Sequence, residues 1–349
     1  MKDTIAVRAG EELHVERVEQ FIRKHIPLPN ESIEIEQFGS GHSNLTYLIR
    51  CGNVEVVLRR PPLGPVAPKA HDMQREYTIL SSLHSYFNAV PKPYAFSDDT
   101  SIVGSPFFIM ERRKGIVLDT AFPAHIPYSP QIGQQISEKM VDTLVQLHAI
   151  NYKETALATM TKPDGFMARQ VTGWIERYKK AKTVELAEVE ELKSWLVTNI
   201  PPSFDPTIIH YDFKLNNTMF SEDFREVTGL FDWEMTTVGD PLADLGVAMS
   251  YWIQSNDPPI LGHALGKPPV SILDGFYTRD EFVQAYAQKS GRDVTHFNFY
   301  LTFAYFKLAV IGQQIYARYK KGQTKDPRFA QLGMLVENLL KYALSTIRK

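Results

Sequence analysis

The chain of 349 residues has a single cysteine, Cys51, so it closes no intrachain disulfide, and a chain this long buries a core without one. It also lacks a long apolar run. The stretch Phe297–Gly312 is interrupted by Asn298, Thr302 and Lys307 and is shorter than the roughly 20 residues that a membrane span needs. Neither charge sign is in excess: 38 Lys and Arg against 40 Asp and Glu give a net charge of −2, which excludes nucleic-acid binding driven by phosphate neutralisation alone. Glycine (20) and proline (22) are near ordinary usage, which rules out a collagenous or Pro-rich chain, and no tract is of low complexity. The first ten residues, MKDTIAVRAG, carry no apolar targeting core, so a cytoplasmic protein with no membrane partner is expected.

What is present is a change of pattern along the chain. Up to residue 111 the sequence reads as a small antiparallel sheet with helices beside it. Helical spacing marks Glu11–His25 and Ala70–Phe87, and alternation marks strands at Ser32–Phe38, Leu45–Cys51, Val54–Arg60, Lys92–Phe96 and Phe107–Glu111. Gly52-Asn53 supplies a two-residue hairpin turn. From Gly115 long helical patterns dominate: Ile132–Ile150, Met167–Lys180, Val184–Asn199, Arg279–Lys289 and Tyr300–Lys320, with a β-rich insert at Thr207–Thr236. An α+β chain in two lobes is expected, 1–113 and 114–349.

Three constellations carry chemistry. Gly39-Ser40-Gly41-His42-Ser43-Asn44 lies between two strands. A dinucleotide fingerprint needs a helix after its glycines, so that reading fails; a phosphate-covering loop and an ordinary hairpin turn both remain open. Arg59 lies near the end of the third strand, on the same face as Val57, and could clamp phosphates. Glu76, seventeen residues on along a helix, could hold that cation, the plain alternative being a solvated strand end and a surface carboxylate. The most specific segment is Ile208-Ile209-His210-Tyr211-Asp212-Phe213-Lys214-Leu215-Asn216-Asn217, with Asp232 fifteen positions after Asn217. Phosphoryl transfer needs these residue types in this order: one carboxylate to take the acceptor proton, then an amide oxygen and a second carboxylate to hold Mg²⁺. His210 is expected to be a buried structural residue, Cys51 a half-buried inert thiol, and Asp240-Pro241 the start of a helix.

With these motifs in view, the chain resembles the phosphotransferase enzyme family, which includes aminoglycoside phosphotransferases and choline kinase-like enzymes. It is most similar to the kinase-like domains fused to acyl-CoA dehydrogenases and their free-standing bacterial relatives. The likeness rests on FGSGHSNLTYLI, VVLRRPPLGPVAPKAHDMQREYTIL, PFFIMER, IIHYDFKLNN, LFDWEMTTVGDPLADL and NFYLTFAYFKLAVIGQQIYARY, from residue 38 to 319. It implies a two-lobed protein-kinase-like fold with a small antiparallel-sheet N-lobe and a larger, mostly helical C-lobe. It also implies ATP and Mg²⁺ as cofactors. By that resemblance Asp212 is the catalytic base, assisted by Lys214, and Asn217 and Asp232 are metal ligands. The ATP-binding set is Ser40, Gly41, His42, Ser43 and Asn44 in the loop, Val57 over the purine, Arg59 with Glu76, and the backbone of Glu111 and Arg113 beside adenine. Arg59 replaces the lysine of many relatives, Asn44 the third glycine, and Lys214 the histidine of aminoglycoside enzymes.

The acceptor is read separately. Only eight positions separate Asp232 from Asp240, too few for the segment on which a protein kinase holds a peptide, so a small hydroxylated molecule is expected. From Asp240 to Lys349 there are 13 Lys and Arg against 9 Asp and Glu, a balance that suits an anionic acceptor such as a hydroxyacyl-CoA better than a polycationic aminoglycoside. The competing readings are an aminoglycoside- or choline-type kinase and a nucleotide-binding pseudokinase scaffold; nucleic-acid binding has no basic, aromatic-interleaved stripe behind it.

Overall fold

The computed structural model describes residues 3–39, 44–64, 71–202, 205–263, 267–324 and 326–347. The chain forms two compact units. One comprises residues 1–115 with 228–234, the other 116–227 with 235–349. Residues 228–234, placed by sequence with the second lobe, therefore belong to the first unit.

In the first unit, six strands form one antiparallel sheet: β1 (Thr4–Ile5), β2 (Glu34–Phe38), β3 (Leu45–Cys51), β4 (Val54–Arg60), β5 (Pro93–Ser97) and β6 (Phe107–Glu111). Their spatial order is β1-β2-β3-β4-β6-β5. The Gly52-Asn53 turn sets Cys51 opposite Val54 and Leu48 opposite Val57, and β6 adds Val57 opposite Met110 and Arg59 opposite Phe108. Strand alternation then separates two faces. Tyr47, Ile49, Val56, Leu58, Phe107 and Ile109 join Val18 and Ile22 of the helix Val15–His25 in one core cluster. Burying each of the aliphatic side chains among them is worth about 2 kcal/mol before entropy is counted. Val57, Arg59 and Phe108 lie on the other face, which the helix Met73–Leu83 covers, with Tyr77 packed at 5.8 Å from Phe96 and 6.3 Å from Phe108. That helix is shorter than its periodicity suggests because the Asp72 carboxylate accepts the Arg75 N–H and caps it. Cys51 is 2% exposed, so it is fully rather than half buried, its thiol donating towards the Pro29 and Glu31 carbonyls.

The second unit is mostly helical. Its longer helices are Pro130–His148, Phe166–Ala181, Ala187–Thr198, Pro241–Tyr251, Arg279–Ser290, Phe297–Lys320 and Leu332–Ile347. Pro241–Tyr251 begins as expected, with Asp240 accepting the Leu242 N–H and Pro241 in the first turn. Every residue of it from Pro241 to Ser250 is buried. At Gly246 a Cβ would stand 2.7 Å from the Tyr300 carbonyl oxygen, so only glycine permits that approach to the helix Phe297–Lys320. The helix Leu332–Ile347 has no counterpart in the sequence reading. It buries Leu335, Val336, Leu339, Leu340 and Leu344 and packs along Phe297–Lys320, with Thr302 and Thr346 hydroxyls 2.6 Å apart. Two short strands, Thr207–Ile209 and Thr237–Gly239, pair antiparallel with Ile208 opposite Val238. They deliver the chain into the segment 210–217. No helix among the described residues is long and apolar enough to cross a membrane.

Candidate functional site

Each unit carries its own group of chemistry-bearing residues. In the first, the period-two rule and the helical turn bring Arg59 and Glu76 together: Arg59 Nε lies 3.3 Å from Glu76 Oε2, both nearly sealed from solvent. Asp232 meets the same guanidinium at 2.5 Å through Oδ1, and Glu234 Oε2 stands 3.8 Å away. Asp232 takes a left-handed backbone, φ 63°, and the Trp233 indole N–H donates to the Leu230 carbonyl at 2.7 Å, which anchors the turn. Three carboxylates thus surround one guanidinium. Burial works against the Arg59 charge, but Glu76, Asp232 and Glu234 outweigh it and raise its pKa above the usual value. Glu76 moves in the opposite sense from an ordinary ion-paired acid: burial pushes it up to about 7, Asp232 and Glu234 adding to the rise and Arg59 opposing it.

The surplus of negative charge over Arg59 suits a hard divalent cation. Asp232 and Glu234 are the more exposed carboxylates, with side-chain exposures of 34% and 26% against 3% for Glu76. Among the described residues no group of three or more His, Cys, Asp or Glu could hold a metal by itself. Mg²⁺ does not require one, since it is bound through one or two carboxylates together with substrate phosphates and water. Asn44 donates its amide to Glu234 Oε2 at 3.0 Å, and His71 Nδ1 donates to Asn44 Oδ1 at 2.8 Å. A cavity of about 290 Å³ opens there, lined by His71, Asp72, Arg75 and Glu234. Ser40, Gly41, His42 and Ser43 lie outside the described residues. Val57 is buried on the Arg59 face between Leu48 and Met110. At the end of β6, Arg113 Nε pairs with Glu111 Oε2 at 3.0 Å, and the Glu111 N–H donates to the Lys92 carbonyl.

In the second unit the segment 210–217 gathers Asp212, Lys214 and Asn217 around one carboxylate. Lys214 Nζ lies 3.0 Å from Asp212 Oδ2. The Asn217 amide N–H donates to both the Asp212 carbonyl and Oδ2 at 2.9 Å, which turns its oxygen, the atom that can ligate a metal, the other way. Tyr251 also bonds to Asp212; burial first, and the Asp212 charge second, lift its hydroxyl well above its usual pKa. The Lys214 ammonium sits 4.8 Å from the Tyr251 ring.

The backbone beneath Asp212 is strained and held. Tyr211 has φ 66°, a region that costs a bulky residue about 1 kcal/mol or more. Asp244 accepts the His210 N–H at 2.7 Å and the Tyr211 N–H at 2.8 Å, one on each oxygen. His148 donates from Nε2 to Asp244 Oδ2 at 3.2 Å, and its Nδ1 accepts the Tyr286 hydroxyl at 2.7 Å. Burial lowers the His148 pKa, which keeps the ring neutral in this tautomer. Burial also works against the Asp244 carboxylate, but its donors outweigh that and hold its pKa below the usual range. His210 is fully buried, as expected, and its Nδ1 accepts the Asp212 N–H at 3.3 Å.

Sequence reasoning gave no catalytic role to Glu234, His148, Lys307 or Tyr251. Glu234 was visible beside Asp232, and Lys307 as the one cation interrupting an apolar stretch. His148 carried no local signal.

Comparison with known proteins identifies the family. Residues 34–269 match the family model described as "Phosphotransferase enzyme family". Acyl-CoA dehydrogenase family member 10 of Mus musculus is 32% identical over 314 residues, covering 89% of this chain but 29% of that protein, so the chain spans less than a third of that relative's length. Among solved structures, a candidate aminoglycoside phosphotransferase from Ralstonia eutropha is similar at a TM-score of 0.80 and 28% identity, over 96% of this chain and 99% of that one. The choline kinase of Cryptosporidium parvum, 14% identical with a TM-score of 0.63 over 95% of each chain, shares the fold.

Proposed function

The chain belongs to the phosphotransferase enzyme family, with its α+β kinase-like fold and its alcohol-acceptor phosphotransfer, and we propose that it is an ATP- and Mg²⁺-dependent kinase of an anionic small molecule. The observation that carries this reading is the Asp212 carboxylate, set on a backbone pinned by Asp244 and flanked by Lys214 and Asn217. A carboxylate so placed orients an acceptor hydroxyl and takes its proton as the oxygen attacks the γ-phosphorus. The new O–P bond forms as the bond to the ADP leaving group breaks. Lys214 shields the developing phosphate charge. Asn217 and Asp232 are assigned to the metal, which when bound neutralises the phosphate oxygens. Arg59 clamps the phosphates, and Glu76 holds Arg59 in place. Val57 covers the purine, and the Glu111 carbonyl and Arg113 N–H pair with adenine. That assignment agrees with the Glu111 N–H being taken by Lys92.

For the acceptor we favour a hydroxyacyl-CoA. The +4 balance from Asp240 to Lys349 supports an anionic substrate, and so does similarity to a relative named as an acyl-CoA dehydrogenase family member. The test is transfer of label from γ-labelled ATP, with Mg²⁺, to a panel of hydroxyacyl-CoAs, free hydroxy acids, choline, amino-acid alcohols and aminoglycosides. Label on hydroxyacyl-CoAs is the expected result. Label on choline or an aminoglycoside alone overturns the acceptor assignment, and nucleotide binding without any turnover points to a pseudokinase.

A further inference from the structure

Lys307 lies in the middle of the helix Phe297–Lys320 and is 4% exposed. Among the described residues no carboxylate lies within ion-pair distance of its ammonium. Its Nζ is instead 3.3 Å from the Tyr211 carbonyl oxygen and 3.6 Å from the centroid of the Tyr211 ring, with the Trp174 ring at 5.9 Å. A buried ammonium held by one carbonyl and aromatic faces is costly, and an apolar side chain would fill the space at lower cost. The cost falls at one place in the backbone. The peptide joining Tyr211 to Asp212 has its oxygen on Lys307 and its N–H on His210 Nδ1, while the preceding N–H is on Asp244. Every polar group that sets the direction of the Asp212 Cα is therefore engaged, across a residue at φ 66° that would otherwise relax.

We propose that Lys307 is a positioning residue: its ammonium pins the Tyr211–Asp212 peptide and so fixes the direction in which Asp212 presents its carboxylate. The proposal rests on the assignment of Asp212 as the base. Asp212 and Asp244 favour the charge on Lys307, Lys214 and Arg177 oppose it, and burial brings its pKa down to about 8. The clamp is therefore charged at neutral pH and weakens in mild alkali.

The test pairs an activity with a readout that does not need one. In Lys307→Met, amide hydrogen exchange over residues 207–217 is expected to speed up about tenfold, while exchange within the helix Phe297–Lys320, the control for folding, does not speed up. Asp212-dependent ATP turnover in Mg²⁺ is expected to fall about tenfold or more in kcat, with KM for ATP within about twofold, because aim is lost and nucleotide binding is not. In the wild type, protection over 207–217, corrected for intrinsic base catalysis, should fall between about pH 7 and pH 9.5 relative to that helix, a measurement that stands even if the variant fails to fold. Unchanged exchange over 207–217 in Lys307→Met, or in the wild type across that pH range where the variant does not fold, overturns the clamp. A wild type that never turns over ATP overturns the kinase reading instead, and the exchange data still decide the role of Lys307.

Discussion

Replacing Arg59 with alanine removes the cation around which Glu76, Asp232 and Glu234 are arranged. Glu76 is sealed in the unit, 3% exposed at its side chain, so it cannot turn to water. Removing one partner of a buried ion pair costs about 3–5 kcal/mol, because the other charge is left uncompensated. With about 2.1 cal/mol/K of unfolding entropy per residue, that loss lowers Tm by about 4–7 °C if the chain of 349 residues unfolds as one, and by more if the first unit melts alone. The cost has a pH signature. Glu76 titrates at about 7 beside Arg59, and without that guanidinium its pKa rises further. Above pH 7 the wild type ionises Glu76 while the variant must keep it protonated, so the loss grows with pH, by up to about 1.4 kcal/mol per unit. Glu76→Gln added to Arg59→Ala removes the stranded charge and should recover most of the stability. Urea unfolding of these three proteins at pH 6 and 8 measures all of this. An Arg59→Ala protein within about 1 kcal/mol of the wild type at pH 8, or no recovery with Glu76→Gln, would refute the reasoning.

Three further outcomes are expected. Asp244→Asn keeps the shape but offers one acceptor where two backbone N–H groups and His148 now donate, so thermal unfolding should show a loss of about 2–3 kcal/mol together with a fall in ATP turnover. Lys307→Met should be more stable than the wild type at pH 7, by at most about 3 kcal/mol, because the folded pKa of Lys307 is depressed to about 8. Wild-type stability is lost as pH falls from about 10.4 to about 8 and returns as it rises, so the gap measured in urea should close between about pH 8 and pH 10.4. Asn217→Ala should raise the Mg²⁺ concentration for half-maximal ATP turnover by about tenfold or more, read from a metal titration.

What the sequence disclosed follows the range of the interactions. The hairpin around Gly52-Asn53 and the face shared by Val57 and Arg59 are fixed by period-two geometry, and both stand in the structure. Asp212, Lys214 and Asn217 were legible because six consecutive residues contain them, and the family motif names their order. The supports beneath them were not legible in the same way. Asp244 and Lys307 meet residues 210–211, and His148 meets Asp244, only through tertiary packing, from helices far apart in the chain. In sequence Asp244 reads equally as a partner of the loop backbone and as a polar helix residue; in the structure its two oxygens accept the His210 and Tyr211 N–H groups. Helix ends were lost to capping: the carboxylate of Asp72 stops the helix that periodicity would begin at Ala70. The final helix, Leu332–Ile347, carries apolar spacing at Leu335, Leu339 and Ala343 that was there to be read.

The central claim is that Asp212 performs the transfer while other residues hold the nucleotide. Asp212→Asn keeps the side-chain volume and an acceptor oxygen for Lys214 but cannot take a proton. Single-turnover transfer of γ-labelled phosphate to the acceptor found in the panel, measured beside calorimetric binding of Mg²⁺·ATP, separates the two functions. The account predicts that transfer falls by about 10²–10⁴ while the Kd for nucleotide stays within a few-fold. Transfer at the wild-type rate in Asp212→Asn would contradict it.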